Sequence, residues 1–197
     1  VYKFTVDTVA PAVPTLLSPI GKSYPGTTTP KLILAAASTA KPYEYQVDDS
    51  GSFATPILNV SSSSAAYATT ASQALPLGLL YWRARAVDAA GNASDWSAPQ
   101  AFYQTNQKTP NTTAVVTVAT PTFTWSALAG ATAYRLLVCQ DEGMTDCVID
   151  MTLGPVTKYV SPIVFSPEVY YWQISVVGGV YNGQTTLPIK FSVSPII

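Results

Sequence analysis

The side chains of this chain that could carry out chemistry are few, and one type is missing altogether. Among the 197 residues there is no histidine, which removes the commonest general base and the commonest transition-metal ligand. Ser-His-Asp and Cys-His nucleophiles go with it. The three glutamates, Glu44, Glu142 and Glu168, lie far apart in expected edge or loop contexts, whereas a paired-carboxylate hydrolase needs two that converge on one cleft. Gly178-Gly179 reads as a turn or bulge, and no glycine-rich phosphate loop occurs. Asp48, Asp49, Asp88 and Asp95 stand in turn-forming contexts without EF-hand spacing. A calcium site that also draws on Asp7 is the minor alternative. No catalytic residue, metal ligand or cofactor is expected, and the chain is not read as an enzyme.

Two small constellations remain. Cys139 and Cys147 are the only cysteines, and they flank Gln140-Asp141-Glu142-Gly143-Met144-Thr145-Asp146, a polar, turn-like stretch between two apolar runs. A disulfide clamping a hairpin loop is the reading adopted over two buried free thiols, and it points to an oxidising compartment. Closing so short a loop is worth only about 2–3 kcal/mol by the chain-entropy argument, so it tightens a loop rather than holding a domain together. Arg83 and Arg85 share one face of a strand, and Trp96 is expected on the strand beside it. Guanidinium groups stacked on that indole make a structural cation–π ladder, at about 0.5–1 kcal/mol per exposed contact. The rival reading makes Trp96 an exposed platform for a glycan ligand.

Composition narrows the partners. Charged residues are 11% of the chain, the net charge is −1, and the ten Lys and Arg are scattered. A nucleic-acid partner requires a basic stripe that displaces counterions, and none is present. Membrane insertion is not expected either, since no apolar run approaches the roughly 20 residues that span a bilayer. Thr, Ser, Ala and Val dominate, which favours β structure and a surface kept soluble by hydroxyls. Asn59-Val60-Ser61, Asn92-Ala93-Ser94 and Asn111-Thr112-Thr113 are formal glycosylation sequons, a number near chance in so Ser/Thr-rich a chain.

The elements that must position these residues are announced by a repeat. Leu80-Tyr81-Trp82-Arg83-Ala84-Arg85-Ala86-Val87-Asp88 recurs ninety positions on as Tyr170-Tyr171-Trp172-Gln173-Ile174-Ser175-Val176-Val177-Gly178. Strict alternation puts Leu80, Trp82, Ala84 and Ala86 on one face, and Tyr170, Trp172, Ile174 and Val176 on the matching face. Thr29-Pro30 likewise answers Thr120-Pro121. Two all-β domains in tandem follow, over residues 15–105 and 106–197. Each reads as seven short strands in a Greek-key sandwich with turn signals about ten residues apart. In the first unit these are 15–19, 31–36, 43–48, 56–60, 65–70, 79–88 and 98–104. In the second they are 113–118, 122–126, 133–139, 147–152, 157–161, 169–177 and 187–193. Residues 105–111 read as a polar boundary. The core anchors are Trp82, Trp125, Tyr170 and Trp172.

At these residues the chain resembles tandem fibronectin type III-like domains of bacterial surface and secreted proteins. The resemblance is carried by Thr29-Pro30, by Tyr81 to Asn92 with Ser94-Asp95-Trp96-Ser97, and in the second unit by Trp125 and Tyr170-Tyr171-Trp172. Leu34 stands where that family has a second-strand Trp, and Leu80 where it has a sixth-strand Tyr. The second unit keeps both but lacks the Asp-Trp-Ser element. The resemblance implies a fold and says almost nothing about a ligand.

Val1, Tyr2, Lys3, Phe4, Thr5, Val6 and Asp7 alternate like an additional strand, and Lys3-Phe4-Thr5-Val6 nearly repeats Lys190-Phe191-Ser192-Val193. A stiff linker, Thr8 to Pro14, follows. The chain opens on Val1, so it is read as either a mature protein or a piece of a longer one, and the opening strand as either the end of a preceding domain or a strand donated to a neighbouring sheet edge. The expected role is non-catalytic, structural or adhesive at a microbial cell surface, secreted or surface-bound. The expected partners are other copies of the chain or neighbouring domains. The rival is a carbohydrate-binding accessory module of a secreted glycan-degrading enzyme; Tyr24, Tyr103, Tyr159 and Tyr181 are too scattered to suggest a planar aromatic row.

Overall fold

A computed structural model of the chain describes residues 6–21, 27, 29–36, 42–70, 72–73 and 75–194. It is all-β and divides into two compact units, the first made mainly of Thr29–Leu75 and Leu79–Tyr103, the second of Gln104–Ile197.

Unit 1 contains β1 (Leu16–Ser18), β2 (Lys31–Leu34), β3 (Tyr43–Asp48), β4 (Leu58–Ser62), β5 (Ala66–Ala68), β6 (Gly78–Ala86) and β7 (Gln100–Gln104). They form a three-stranded sheet in the order β1-β2-β5 and a four-stranded sheet in the order β4-β3-β6-β7. Leu32 and Leu34 from the first meet Tyr43, Tyr45, Val47, Leu58, Trp82 and Phe102 from the second in one buried cluster. The alternation of β6 fixes which face turns inward, because a slip of one residue would bury Arg83 and Arg85 instead. Volumes are matched across the pair: Tyr43 lies opposite Ala86 and Tyr45 opposite Ala84. Small residues on β6 thus leave room for the rings of β3.

Unit 2 contains β8 (Gln107–Thr109), β9 (Val115–Val116), β10 (Thr122–Trp125), β11 (Ala133–Cys139), β12 (Cys147–Leu153), β13 (Lys158–Val160), β14 (Val169–Val177) and β15 (Ile189–Val193). The sheets run β8-β10-β13 and β12-β11-β14-β15-β9. Here Tyr134 faces Val176, again a ring opposite a smaller residue, whereas Leu136 faces Ile174, two middle-sized residues where unit 1 sets Tyr45 against Ala84. Phe123 of the smaller sheet contacts Trp172 and Phe191 of the larger, with centroids 5.4 and 5.7 Å apart. Tyr170 closes this aromatic cluster and donates a long, 3.4 Å hydrogen bond to the Ser166 carbonyl upstream.

Several sequence expectations are corrected here. Residues 105–111 are not merely a boundary: β8 lies within them, and Gln107 is buried. Its Nε2 donates to the Trp172 carbonyl at 2.8 Å and its Oε1 accepts from Thr105 at 2.8 Å, so a polar residue occupies a strand interior because its bonds are made. Unit 2 shows eight strands among the described residues, against the seven expected. Pro110 has no N–H to continue the ladder. The chain turns at Asn111, whose carbonyl accepts from Ala114 N, and β9 joins β15 in the other sheet, in parallel. Of the opening strand, Val1 to Thr5 lie outside the described residues, and Val6 and Asp7 are exposed and in no strand.

Both units share one tie. Trp82 Nε1 donates to the Pro19 carbonyl at 2.6 Å, and Trp172 Nε1 donates to the Pro110 carbonyl at 2.8 Å. Each of these prolines follows a cis peptide bond and is buried.

After β14 the backbone turns through Gly178 and Gly179 and packs against the Ala129–Ala131 turn. Gly179 has φ of +68°, and a Cβ there would collide with the Ala129 carbonyl oxygen and lie 2.8 Å from the Gly130 carbonyl carbon. Gly183 has φ of +78° with nothing near its missing Cβ. Gly183→Ala is expected to cost only the roughly 1–2 kcal/mol of left-handed backbone. Gly179→Ala should lower the midpoint of chemical denaturation clearly further, because backbone must also move. Equal losses would mean that the close approach is not a constraint.

Candidate functional site

The polar outer face of the β4-β3-β6-β7 sheet brings together Glu44, Arg83 and Arg85. Register places them in rows. Glu44 on β3 is paired with Ser61 on β4 and with Arg85 on β6, and Gln46 is paired with Asn59 and with Arg83. Arg85 Nε donates to Glu44 Oε2 at 2.6 Å, and Arg83 Nε donates to Gln46 Oε1 at 2.9 Å. Glu44 is therefore mid-sheet and paired, not in the edge or loop context expected of it.

Above the rows, both guanidinium carbons lie over the Trp96 ring, at 4.6 Å for Arg83 and 4.7 Å for Arg85. Arg83 also lies 4.3 Å over Phe53, a buried residue with φ of +54°. Burial, and then repulsion from Arg85, lower the Arg83 pKa, while Asp48 offsets part of this. Ring faces and carboxylate together let two like charges stand side by side on one strand.

Trp96 is not on the seventh strand, as expected, but in the segment before β7. That segment is stitched to β6 by two serines. Ser94 N and Ser97 N donate to the Ala86 and Ala84 carbonyls, both at 2.9 Å. In return Ser94 Oγ and Ser97 Oγ accept from Ala86 N and Ala84 N at 3.0 and 3.1 Å. A hydroxyl thus substitutes for the carbonyl that a regular strand would offer. Unit 2 lacks the Asp-Trp-Ser sequence but keeps one stitch: Thr186 N donates to the Ile174 carbonyl at 2.9 Å, and Ile174 N donates to Thr186 Oγ1 at 3.0 Å. The serines' spacing of three, opposite alternate β6 residues, was the available signal.

The second constellation is the β11–β12 hairpin loop. Cys139 and Cys147 are cross-strand partners joined by a disulfide with an S–S distance of 1.97 Å. Between them Asp141 accepts from Thr145 N, Thr145 Oγ1 and Asp146 N. These bonds, led by that from the Asp146 amide, hold its carboxyl below the usual carboxylate range. Gln140 Nε2 donates to Glu168 at 2.7 Å, whereas Glu142 is exposed. Asp88 accepts from Ala90 N, Asn92 N and Asn92 Nδ2, closing its own turn. Asn92 Nδ2 also donates to the Asp7 carbonyl at 3.1 Å. Among the described residues no three His, Cys, Asp or Glu side chains are grouped to hold a metal ion, and no helix is long and apolar enough to cross a membrane.

Three strands against four in unit 1, and the same order elaborated by β9 in unit 2, define fibronectin type III-like, immunoglobulin-like β-sandwiches. No protein-family model matches the chain, and no curated protein matches it. Among solved structures it is similar to the FN1–FN3 domains of chicken CNTN1, at 10% identity and a TM-score of 0.39 over 93% of this chain and 68% of that one. It is also similar to the fibronectin(III)-like modules of Clostridium thermocellum CbhA, at 14% identity and a TM-score of 0.33, covering 93% and 94%. Dimeric latent PorU from Porphyromonas gingivalis matches at 13% identity and a TM-score of 0.35 over 96% of this chain, which spans 21% of that protein.

The stitches make a local test. In Ser97→Ala the Ala84 amide loses its buried acceptor, a loss worth about 1–3 kcal/mol, and its hydrogen exchange should accelerate while Ile174 stays protected. Thr186→Val should do the reverse. Unchanged protection in both variants would show that the hydroxyls are incidental.

Proposed function

We infer that the chain is a non-catalytic structural segment of an extracellular, microbial surface protein, in which the two sandwiches act as spacers between other modules. The observation that supports this best is how the chemistry-bearing side chains are spent. Glu44, Arg83 and Arg85 join strands to one another, Arg135 pairs with Asp150 across β11 and β12, and Asp88 and Asp141 close turns. The Cys139–Cys147 bond supports an oxidising compartment. The microbial surface is taken from the sequence resemblance.

A filament subunit is the second reading, and a separate observation favours it. In β15 Lys190 is exposed while Phe191 and Val193 are buried. Lys3-Phe4-Thr5-Val6 nearly repeats the residue types of Lys190-Phe191-Ser192-Val193. A segment so patterned fits the seat of a last strand, and if donated from copy to copy it would build a chain that does not close.

Electron microscopy and light scattering on the intact chain, beside a version lacking Val1–Asp7, separate the two. The spacer reading expects monomers from both. Fibres from the intact chain with monomers from the shortened one would replace it by the filament reading, and fibres from both would contradict each.

A further inference from the structure

The outer face of the β4-β3-β6-β7 sheet is not flat. Beside the ladder lies a groove of about 340 Å³, walled by Glu44, Gln46, Asn59, Ser61, Arg85 and Trp96, within the roughly 300–1,000 Å³ of small-ligand sites. One wall is pre-set. Trp96 is held by the two guanidinium groups, and Glu44 and Arg85 are fixed in each other's grip at 2.6 Å. The opposite wall is Asn59 and Ser61 on β4, the edge strand of the sheet, both exposed. Asn59 has a single long bond, 3.5 Å from Gln46 Nε2 to its Oδ1.

The valences left over decide what would fit. Glu44 meets Arg85 through Oε2, and Arg85 meets it through Nε, so a carboxylate oxygen and the Nη donors remain. Asn59 adds an amide donor and Ser61 a hydroxyl. Donors and acceptors are both present beside one aromatic wall, and the charges of Glu44 and Arg85 offset each other. An anion would meet the carboxylate and a cation the guanidinium, so neither is favoured. A neutral molecule with several hydroxyls, each able to give and accept, satisfies the whole set.

We propose that this groove is a binding subsite for one neutral sugar residue of a glycan, with Glu44, Arg85, Asn59 and Ser61 as its hydrogen-bonding groups and Trp96 as its wall. Trp96 is a positioning residue here, because its ring faces the guanidinium groups. The proposal uses only the valences that the strand-joining bond of Glu44 and Arg85 leaves over, and the filament experiment tests the spacer reading separately.

The test is an NMR titration of the full chain with soluble cellotetraose, xylotetraose and mannotetraose, and with tetragalacturonate as an anionic control. The expected result is saturable shifts at Glu44, Asn59, Ser61, Arg85 and the Trp96 indole with at least one neutral tetrasaccharide. Asn59→Ala and Ser61→Ala sit on an exposed edge and spare the core. Each should weaken binding by about tenfold, the value of one good hydrogen bond. No shifts up to about 10 mM, a Kd range already weaker than −3 kcal/mol, would overturn the proposal. So would shifts centred elsewhere, preference for the anionic control, or unchanged affinity in both variants.

Discussion

On the long inner strand of each larger sheet a buried tryptophan finds an acceptor for its indole N–H, and both units supply it in the same way. The buried Trp125 indole N–H, by contrast, has no partner among the described residues. Trp82 and Trp172 are fully buried, where an unpaired N–H costs more than it would at the surface. Each reaches across to a proline carbonyl beside the first strand of its unit. That bond joins the central strand of the larger sheet to the start of the smaller one. Around it the rest follows: the alternation of β6 and β14 sets which side chains share the core with the indole, and the register with β3 and β11 sets what stands opposite. The outward rows then fall on the other face by necessity.

The two units solve the remaining packing differently, and the differences compensate. Leu34 and Leu80 leave unit 1 short of aromatic volume, which Tyr43 and Tyr45 supply from β3 opposite Ala86 and Ala84. Unit 2 carries Trp125 and Tyr170, keeps a ring in Tyr134 opposite Val176, and sets Leu136 and Ile174 where unit 1 has Tyr45 and Ala84. On the surface, unit 1 stacks Arg83, Arg85 and Trp96 over its sheet, whereas unit 2 leaves Gln173 and Ser175 at those positions and keeps the single Thr186 stitch.

Much of this architecture is legible in the chain itself. The strands over 133–139 and 169–177 run where alternation puts them, because each has a wholly apolar face and a turn signal at its end. The cysteines, with a polar loop between apolar runs, indicate their own bond. What is not legible depends on partners distant in sequence. Nothing near Gln107 says that it will be buried against the Trp172 carbonyl, so β8 reads as linker. Glu44 looks solitary because Arg85 is forty-one residues away. Trp96 is placed one element too late, since hydroxyl bonds from Ser94 and Ser97 imitate a ladder that the segment does not form. A groove between rows is invisible to pattern altogether, because it depends on register across three strands.

The central claim, that each sandwich hangs on its indole-to-proline bond, is tested most directly by hydrogen exchange at the indole N–H groups of the intact chain. Those of Trp82 and Trp172 should exchange only when their own unit opens, at rates matching the slowest backbone amides of β6 and β14, while that of half-buried Trp96 exchanges early. If either buried indole exchanged much faster than its neighbouring amides, the bond would be open in the folded state, and the account would have to give up the tie as its organising constraint.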